Sequence, residues 1–75
     1  MKQKNILLST VGDNVKALRK EFGWTQAEIA RRAGFKSSYI GAIERGEVNL
    51  SYLSLMKISK VLGVKASLLV TENKN

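Results

Sequence analysis

The side chains that could do chemistry in this sequence are cations, hydroxyls and amides, and their chemistry is hydrogen bonding. The chain has no histidine and no cysteine, so the usual general base, the thiol nucleophile and most metal ligands are missing. The six acidic residues are scattered along its 75 residues, and the serines have no evident activating partner. We therefore expect a protein that is not an enzyme and that uses no cofactor and no metal.

The charge balance indicates what such donors would bind. Thirteen Lys and Arg against six Asp and Glu give a net charge of +7. For so small a domain this is a strong positive field, which favours a polyanionic partner. The alternative is a surface whose charge serves solubility alone, and composition does not separate the two.

Residues 25–46, TQAEIARRAGFKSSYIGAIERG, predict two short helices joined by a tight turn. Thr25 and Glu28 have the spacing of a capping box, in which each side chain bonds the other residue's backbone N–H. Gly34 then supplies the positive φ of the turn. The second helix begins near Ser37 and ends at Gly46. Residues at helical spacing should face the core: Ile29, Ala30 and Ala33 from the first helix, and Ile40 and Ile43 from the second.

Three more helices are predicted around this pair. The apolar stripe of the first is Val11, Val15, Leu18 and Phe22, with Asp13, Asn14, Lys16 and Lys20 on its wetter side. Trp24 is expected to anchor the core. Ser51 should cap a helix that runs to about Leu62, and a last short helix lies near residues 66–70. The prediction is an all-α, compact bundle of five short helices in one domain, residues 1–75, with frayed ends at about 1–4 and 71–75.

The pattern from Gly12 to Leu69 resembles the Cro/C1, or Xre, type of helix-turn-helix regulator, with its lambda repressor-like fold. Within that type, SSYIGAIERGEVNLS at 37–51 is most similar to the controller proteins of restriction–modification systems. The resemblance implies a transcriptional regulator that binds double-stranded DNA at a palindromic operator as a homodimer, in the cytoplasm of a bacterium and associated with its nucleoid. Many controllers carry arginine near Ser37 and Val48. This chain does not, so no operator sequence transfers to it.

If Ile40 and Ile43 face inward, the opposite side of their helix would enter a DNA major groove. Serine hydroxyls both donate and accept, so Ser37 and Ser38 suit base edges. The resemblance implies that Gln26 bonds a phosphate. Gly41 either deepens the approach to DNA or allows close packing against the first helix. The predicted DNA-binding residues are Thr25, Gln26, Lys36, Ser37, Ser38, Tyr39, Ala42, Arg45 and Asn49. Tyr39 has the alternative role of a half-buried packing residue, and Arg31 and Arg32 either add charge or remain solvated.

Two further expectations concern structure and assembly. The resemblance implies that Arg19 and Glu44 form a structural ion pair between the first helix and the recognition helix. Tyr52, Leu53 and Met56 lie partly outside the inward stripe of the fourth helix. They are either extra core or, together with Leu68 and Val70, a dimer interface. The alternative function for the whole chain is that of an antitoxin or protein-interaction module acting through helices 4 and 5.

Overall fold

The computed structural model describes residues 6–72, which form five helices and no strand. The helices are α1 (Ile6–Glu21), α2 (Gln26–Ala33), α3 (Ser37–Glu44), α4 (Tyr52–Leu62) and α5 (Ala66–Leu69). The predicted all-α bundle of five helices is therefore confirmed. The expected fraying of residues 1–4 and 73–75 lies outside the described residues. Within 6–72, none of the helices has the length and apolar character that crossing a membrane requires.

Local signals set the bounds of the central helices. The Thr25 hydroxyl accepts a hydrogen bond from the N–H of Glu28 at 3.1 Å, which is half of the predicted capping box. The other half is wrong, because the Glu28 carboxylate lies 2.6 Å from both Arg31 and Arg32. Gly34 ends α2 with φ +80, a conformation that costs glycine little.

The core surrounds α3. Its two isoleucines, Ile40 and Ile43, are 0% and 2% exposed. At the crossing of α1 and α3 the two backbones nearly touch, since a Cβ added to Gly12 would lie 2.3 Å from the carbonyl oxygen of Ile43. The remaining fully buried large side chains are Val15, Ile29, Ile58 and Leu69. Thus α3 is held by one face, and its other face is left free.

Phe22 departs from the prediction. It was expected to continue the buried stripe of α1, but α1 ends one residue earlier and Phe22 is 50% exposed. The positive φ of Gly23 turns the chain away from the helical path. Phe22 instead stacks on Trp24 with ring centroids 4.4 Å apart. Trp24 packs against the core as expected.

Asn14 of α1 bonds to the backbone at the end of α5. Asn14 Nδ2 donates to the carbonyl oxygens of Leu69 at 2.7 Å and Thr71 at 2.9 Å. Asn14 is therefore partly buried and does not belong to a wet face. Thr71, expected in the frayed tail, also donates its hydroxyl to Ser67 O at 2.7 Å. The prediction that Thr71 is frayed is therefore wrong.

Candidate nucleic-acid interface

The outer face of α3 is polar and accessible. Lys36, Ser37 and Ser38 are exposed at its amino end, and Ala42 is partly exposed one turn further along. Neither serine side chain forms a hydrogen bond within α3. The N-cap residue, Lys36, also makes no side-chain capping bond. The short hydroxyl-bearing side of this helix is therefore presented to solvent, opposite the isoleucines.

A buried ion pair fixes the far end of α3 to α1. Arg19 Nε lies 2.6 Å from Glu44 Oε2, and the two side chains are only 11% and 3% exposed. Arg19 Nη2 adds a bond to Glu44 Oε1 at 3.1 Å, and Nη1 donates to the Trp24 carbonyl at 2.7 Å. The pair suggested by the sequence is thus a network that joins α1, the turn before α2, and α3.

Gln26 is the third member of this network. Its Nε2 donates to Glu44 Oε1 at 3.0 Å, and this hydrogen bond orients the amide. Gln26 stands at the first turn of α2, where unpaired N–H groups and the positive end of the helix dipole attract anions. The predicted phosphate-binding side chain is therefore held by the recognition helix itself.

The electrostatics of Glu44 follow from these contacts. Burial alone would raise the pKa of Glu44, but hydrogen bonds from Arg19 and Gln26 and the charges of Arg19 and Lys16 outweigh it, so the pKa is lowered. The hydrogen bond to Glu44 raises the pKa of Arg19. Both residues are therefore charged at neutral pH, and Arg19 compensates the negative charge of Glu44.

Gly41 does not form an open patch. It is buried, because Arg45 Nη1 and Gln26 Oε1 would lie 3.1 and 3.4 Å from a Cβ placed on it. The open patch on which the groove-depth hypothesis rests is therefore not observed. The alternative of close packing against α1 is wrong, because the three atoms nearest to that Cβ belong to Arg45 and Gln26. The glycine that lets α1 approach is Gly12.

The remaining predicted contacts differ in how firmly they are held. Arg45 Nε lies 3.0 Å from Glu47 Oε2 on the surface, and Asn49 is exposed in the loop after α3. Tyr39 is half-buried, and its ring centroid lies 5.0 Å from that of Phe35. The alternative role of Tyr39 as a packing residue is therefore confirmed. Tyr39 still lines a shallow groove together with Lys36 and Ser38, which leaves it beside the exposed face of α3.

Arg31 and Arg32 have local partners. Both pair with Glu28. The guanidinium of Arg32 also lies 4.3 Å from the centroid of the Trp24 ring, a cation–π distance. These contacts fit the alternative in which the two arginines form a solvated face of α2.

The predicted dimer residues are exposed but fall in two places. Tyr52, Leu53 and Met56 are 75%, 64% and 40% exposed and line a groove between α4 and α5. Leu68, 48% exposed, lines a different groove, beside α1. Val70 is 39% exposed and lies next to the end of α5. The alternative of extra core is therefore wrong for Tyr52, Leu53 and Met56.

Sequence reasoning missed three contributors to the site. Gly12 sets the α1–α3 distance, and a glycine inside a helical pattern is a recognised sign of close packing. Glu47, which pairs with Arg45 on the surface, and Asn14, which bonds to the backbone of Leu69 and Thr71, carry no comparable signal. Their partners depend on the tertiary fold.

The helices α2 and α3 are short and are joined by a glycine turn. Apolar residues anchor α3 on one side, and its other side is polar and exposed. This arrangement defines a helix-turn-helix domain. The family model HTH_3, described as Helix-turn-helix, matches residues 15–69. The chain belongs to this family, as the resemblance implied.

Similar proteins refine the comparison. The uncharacterized HTH-type transcriptional regulator y4dJ of Sinorhizobium fredii is 41% identical over 61 residues, which cover 81% of this chain and 79% of that protein. The restriction–modification controller protein C.AhdI from Aeromonas hydrophila superposes with a TM-score of 0.82 at 29% identity, covering 87% of this chain and 98% of that chain. The resemblance to controller proteins is thus confirmed for the structure.

A third relative is SinR. Its structure in complex with DNA superposes with a TM-score of 0.77 at 39% identity, covering 81% of this chain and 98% of the solved chain. The SinR of Bacillus subtilis is 40% identical over 63 residues, which are 83% of this chain and 57% of that protein. The chain therefore spans little more than half of that regulator.

Proposed function

We propose that this chain is a sequence-specific regulator of transcription that inserts α3 into the major groove of double-stranded DNA. The observation that supports this most is the division of α3 into a buried face, Ile40 and Ile43, and an exposed face that begins with Ser37 and Ser38. The net charge of +7 supplies attraction to phosphates. The likeness to SinR, which has been solved with DNA, supports the same reading.

Within this proposal the residues divide into two roles. Lys36, Ser37, Ser38 and Ala42 read base edges, with the Ala42 methyl suited to a thymine methyl. Phosphates are held by the residues around the helix ends: Thr25, Gln26, Tyr39, Arg45 and Asn49.

Selection from a random duplex pool, followed by fluorescence anisotropy with the selected duplex, tests these roles. Ser37→Ala should change which sequence is selected. Arg45→Gln should weaken binding to every duplex and reduce the salt slope by about 1. Lys20→Gln, on the exposed side of α1, removes the same charge and should leave the salt slope near the wild-type value. An unchanged preference in both Ser37→Ala and Ser38→Ala would contradict the assignment of α3 as the reading helix.

We further propose that the regulator binds a palindromic operator as a homodimer through the α4–α5 groove. Two-fold proteins place their recognition helices about 34 Å apart on two half-sites, and pairing two small footprints raises the affinity without new base contacts. The support is the exposure of Tyr52, Leu53 and Met56 along one groove. Leu68 and Val70 would extend this surface only if the partner reached both grooves.

Sedimentation analysis tests the dimer. Leu53→Glu should yield a monomer that binds a palindromic duplex no better than a half-site. Phe22→Ser replaces an apolar residue of similar exposure away from both grooves and should remain dimeric. A dimer that survives Leu53→Glu but not Leu68→Glu would move the interface to the groove beside α1. A wild-type chain that is monomeric at micromolar concentration would instead favour the protein-interaction alternative.

The structural likeness to C.AhdI supports a controller role, which we propose as the finer assignment. Its test is a footprint on the DNA upstream of the chain's own coding region, together with neighbouring genes for a methyltransferase and an endonuclease. Whether the protein represses or activates would follow from the position of that footprint relative to the promoter. Cytoplasmic, nucleoid-associated localisation remains a prediction of the same proposal.

A further inference from the structure

The side chains of Arg45 and Gln26 both lie beside Gly41. A Cβ on this glycine would lie 3.1 Å from Arg45 Nη1 and 3.4 and 3.7 Å from Gln26 Oε1 and Nε2. The guanidinium and the amide are therefore neighbours, although one belongs to the end of α3 and the other to the start of α2. Only the missing side chain of Gly41 leaves room for both.

Each donor is oriented by its own carboxylate. Glu44 accepts one N–H of Gln26 at 3.0 Å, so the second N–H of that amide remains available. Glu47 lies 3.0 Å from Arg45 Nε, while Nη1 is the arginine atom nearest Gly41. Arginine has five N–H donors in a planar fork, and this fork frequently binds phosphate through two parallel hydrogen bonds.

The position of this pair matches the proposed approach of DNA. Gln26 is the first residue of α2, where the free backbone N–H groups attract an anion. The carboxylate nearest the amide, Glu44, is already neutralised by Arg19 at 2.6 Å. An incoming phosphate would therefore meet an amide N–H, a guanidinium and a helix amino end in one place.

We propose that Gly41 is a positioning residue for a two-donor phosphate clamp, in which Arg45 and Gln26 bind the same DNA phosphate because nothing separates them. The clamp rests on the proposed function. It differs from two independent phosphate contacts because it makes the contribution of Arg45 depend on the residue at 41. A side chain there touches the flexible end of Arg45, so the guanidinium moves while the helix keeps its place.

The test is a graded series, Gly41→Ala and Gly41→Leu, measured on the full chain with the selected duplex across a range of salt concentrations. Alanine is favoured over glycine inside a helix, so the melting temperature of Gly41→Ala should be unchanged or higher by up to about 5 °C. Its DNA affinity should fall only slightly, since the guanidinium of Arg45 has to move by a few tenths of an ångström. Gly41→Leu should lose roughly tenfold, the loss expected for a charge-assisted hydrogen bond. The salt slope should decrease by about 1 in Gly41→Leu, as in Arg45→Gln.

Two controls make the result specific. Adding Arg45→Gln to Gly41→Leu should cause little further loss, since the two changes remove one contact. In ethylation interference, Gly41→Leu should lose sensitivity at one phosphate of each half-site and keep it at the others.

Three outcomes would overturn the clamp. The first is a Gly41→Leu protein with the wild-type affinity and salt slope. The second is fully additive losses for Gly41→Leu and Arg45→Gln. The third is a lower melting temperature for Gly41→Ala, which would make Gly41 a packing residue. All three leave DNA binding by the wild type intact, whereas a wild type without salt-sensitive binding would contradict the proposed function itself.

Discussion

Removing the carboxylate of Glu44 should destabilise this domain more than any other single loss of charge considered above. Its side chain is 3% exposed and that of Arg19 is 11% exposed, so Glu44→Ala leaves a buried guanidinium without its partner. Breaking a buried pair in this way costs about 3–5 kcal/mol. A 75-residue domain has a total stability of only about 4–11 kcal/mol at typical values per residue. The loss is therefore a large fraction of the total, and the urea midpoint of the variant should fall clearly below that of the wild type.

Urea denaturation followed by far-ultraviolet circular dichroism measures this loss. Glu28→Ala is the matched control, because Glu28 also lies 2.6 Å from arginine but its partners Arg31 and Arg32 are 69% and 44% exposed. Exposed pairs contribute little, so this variant should unfold near the wild-type midpoint. Equal midpoints for Glu44→Ala and Glu28→Ala would refute the reasoning.

A double replacement separates burial from charge pairing. Changing Arg19→Met together with Glu44→Leu removes both charges and fills their volume with apolar atoms, which is often neutral or stabilising. We expect this protein to regain most of the stability lost in Glu44→Ala. It should still bind DNA more weakly than the wild type, because Gln26 loses the acceptor that orients it. If the double variant is as unstable as Glu44→Ala, the buried unpaired charge of Arg19 does not cause the loss of stability.

The other predictions concern packing, pH and capping. Gly12→Ala should cost about 1–3 kcal/mol or more in urea denaturation, because its methyl meets the immovable carbonyl of Ile43; wild-type stability would contradict the α1–α3 contact. Because the pKa of Glu44 is lowered by folding, its contribution is complete above its usual pKa and is lost as pH falls through the folded value. Glu44→Gln should therefore flatten stability against pH in the acid range, and an unchanged profile would contradict this. Ser51→Ala should cost about 1 kcal/mol through its lost bond to the Ser54 N–H at 3.0 Å, and an unchanged midpoint would exclude that cap.

The sequence predicted what local signals determine. Helix bounds at Gly34 and Ser51 followed from backbone conformation and capping, and the burial of Ile40 and Ile43 followed from helical spacing. Phe22 was misplaced because the spacing continued past the residue at which α1 ends. Periodicity does not show where the chain turns.

The sequence predicted which face of α3 is exposed, but it did not predict how the side chains around that face contact one another. The resemblance suggested the roles of Gln26 and Arg45 separately, from motif position. Their meeting above Gly41 depends on how α2 crosses α3, and Glu47 gives no local sign that it will hold Arg45. Likewise the two grooves that divide Leu53 from Leu68 exist only once α5 has packed between α1 and α4.

Chemical shift mapping of backbone amides, during titration with a selected duplex, tests most directly whether α3 reads DNA. The account predicts that the largest changes fall on Ser37 and Ser38 and on Thr25 and Gln26 at the start of α2. Changes confined to α4 and α5, with α3 unaffected, would contradict it. So would the absence of any change at low ionic strength.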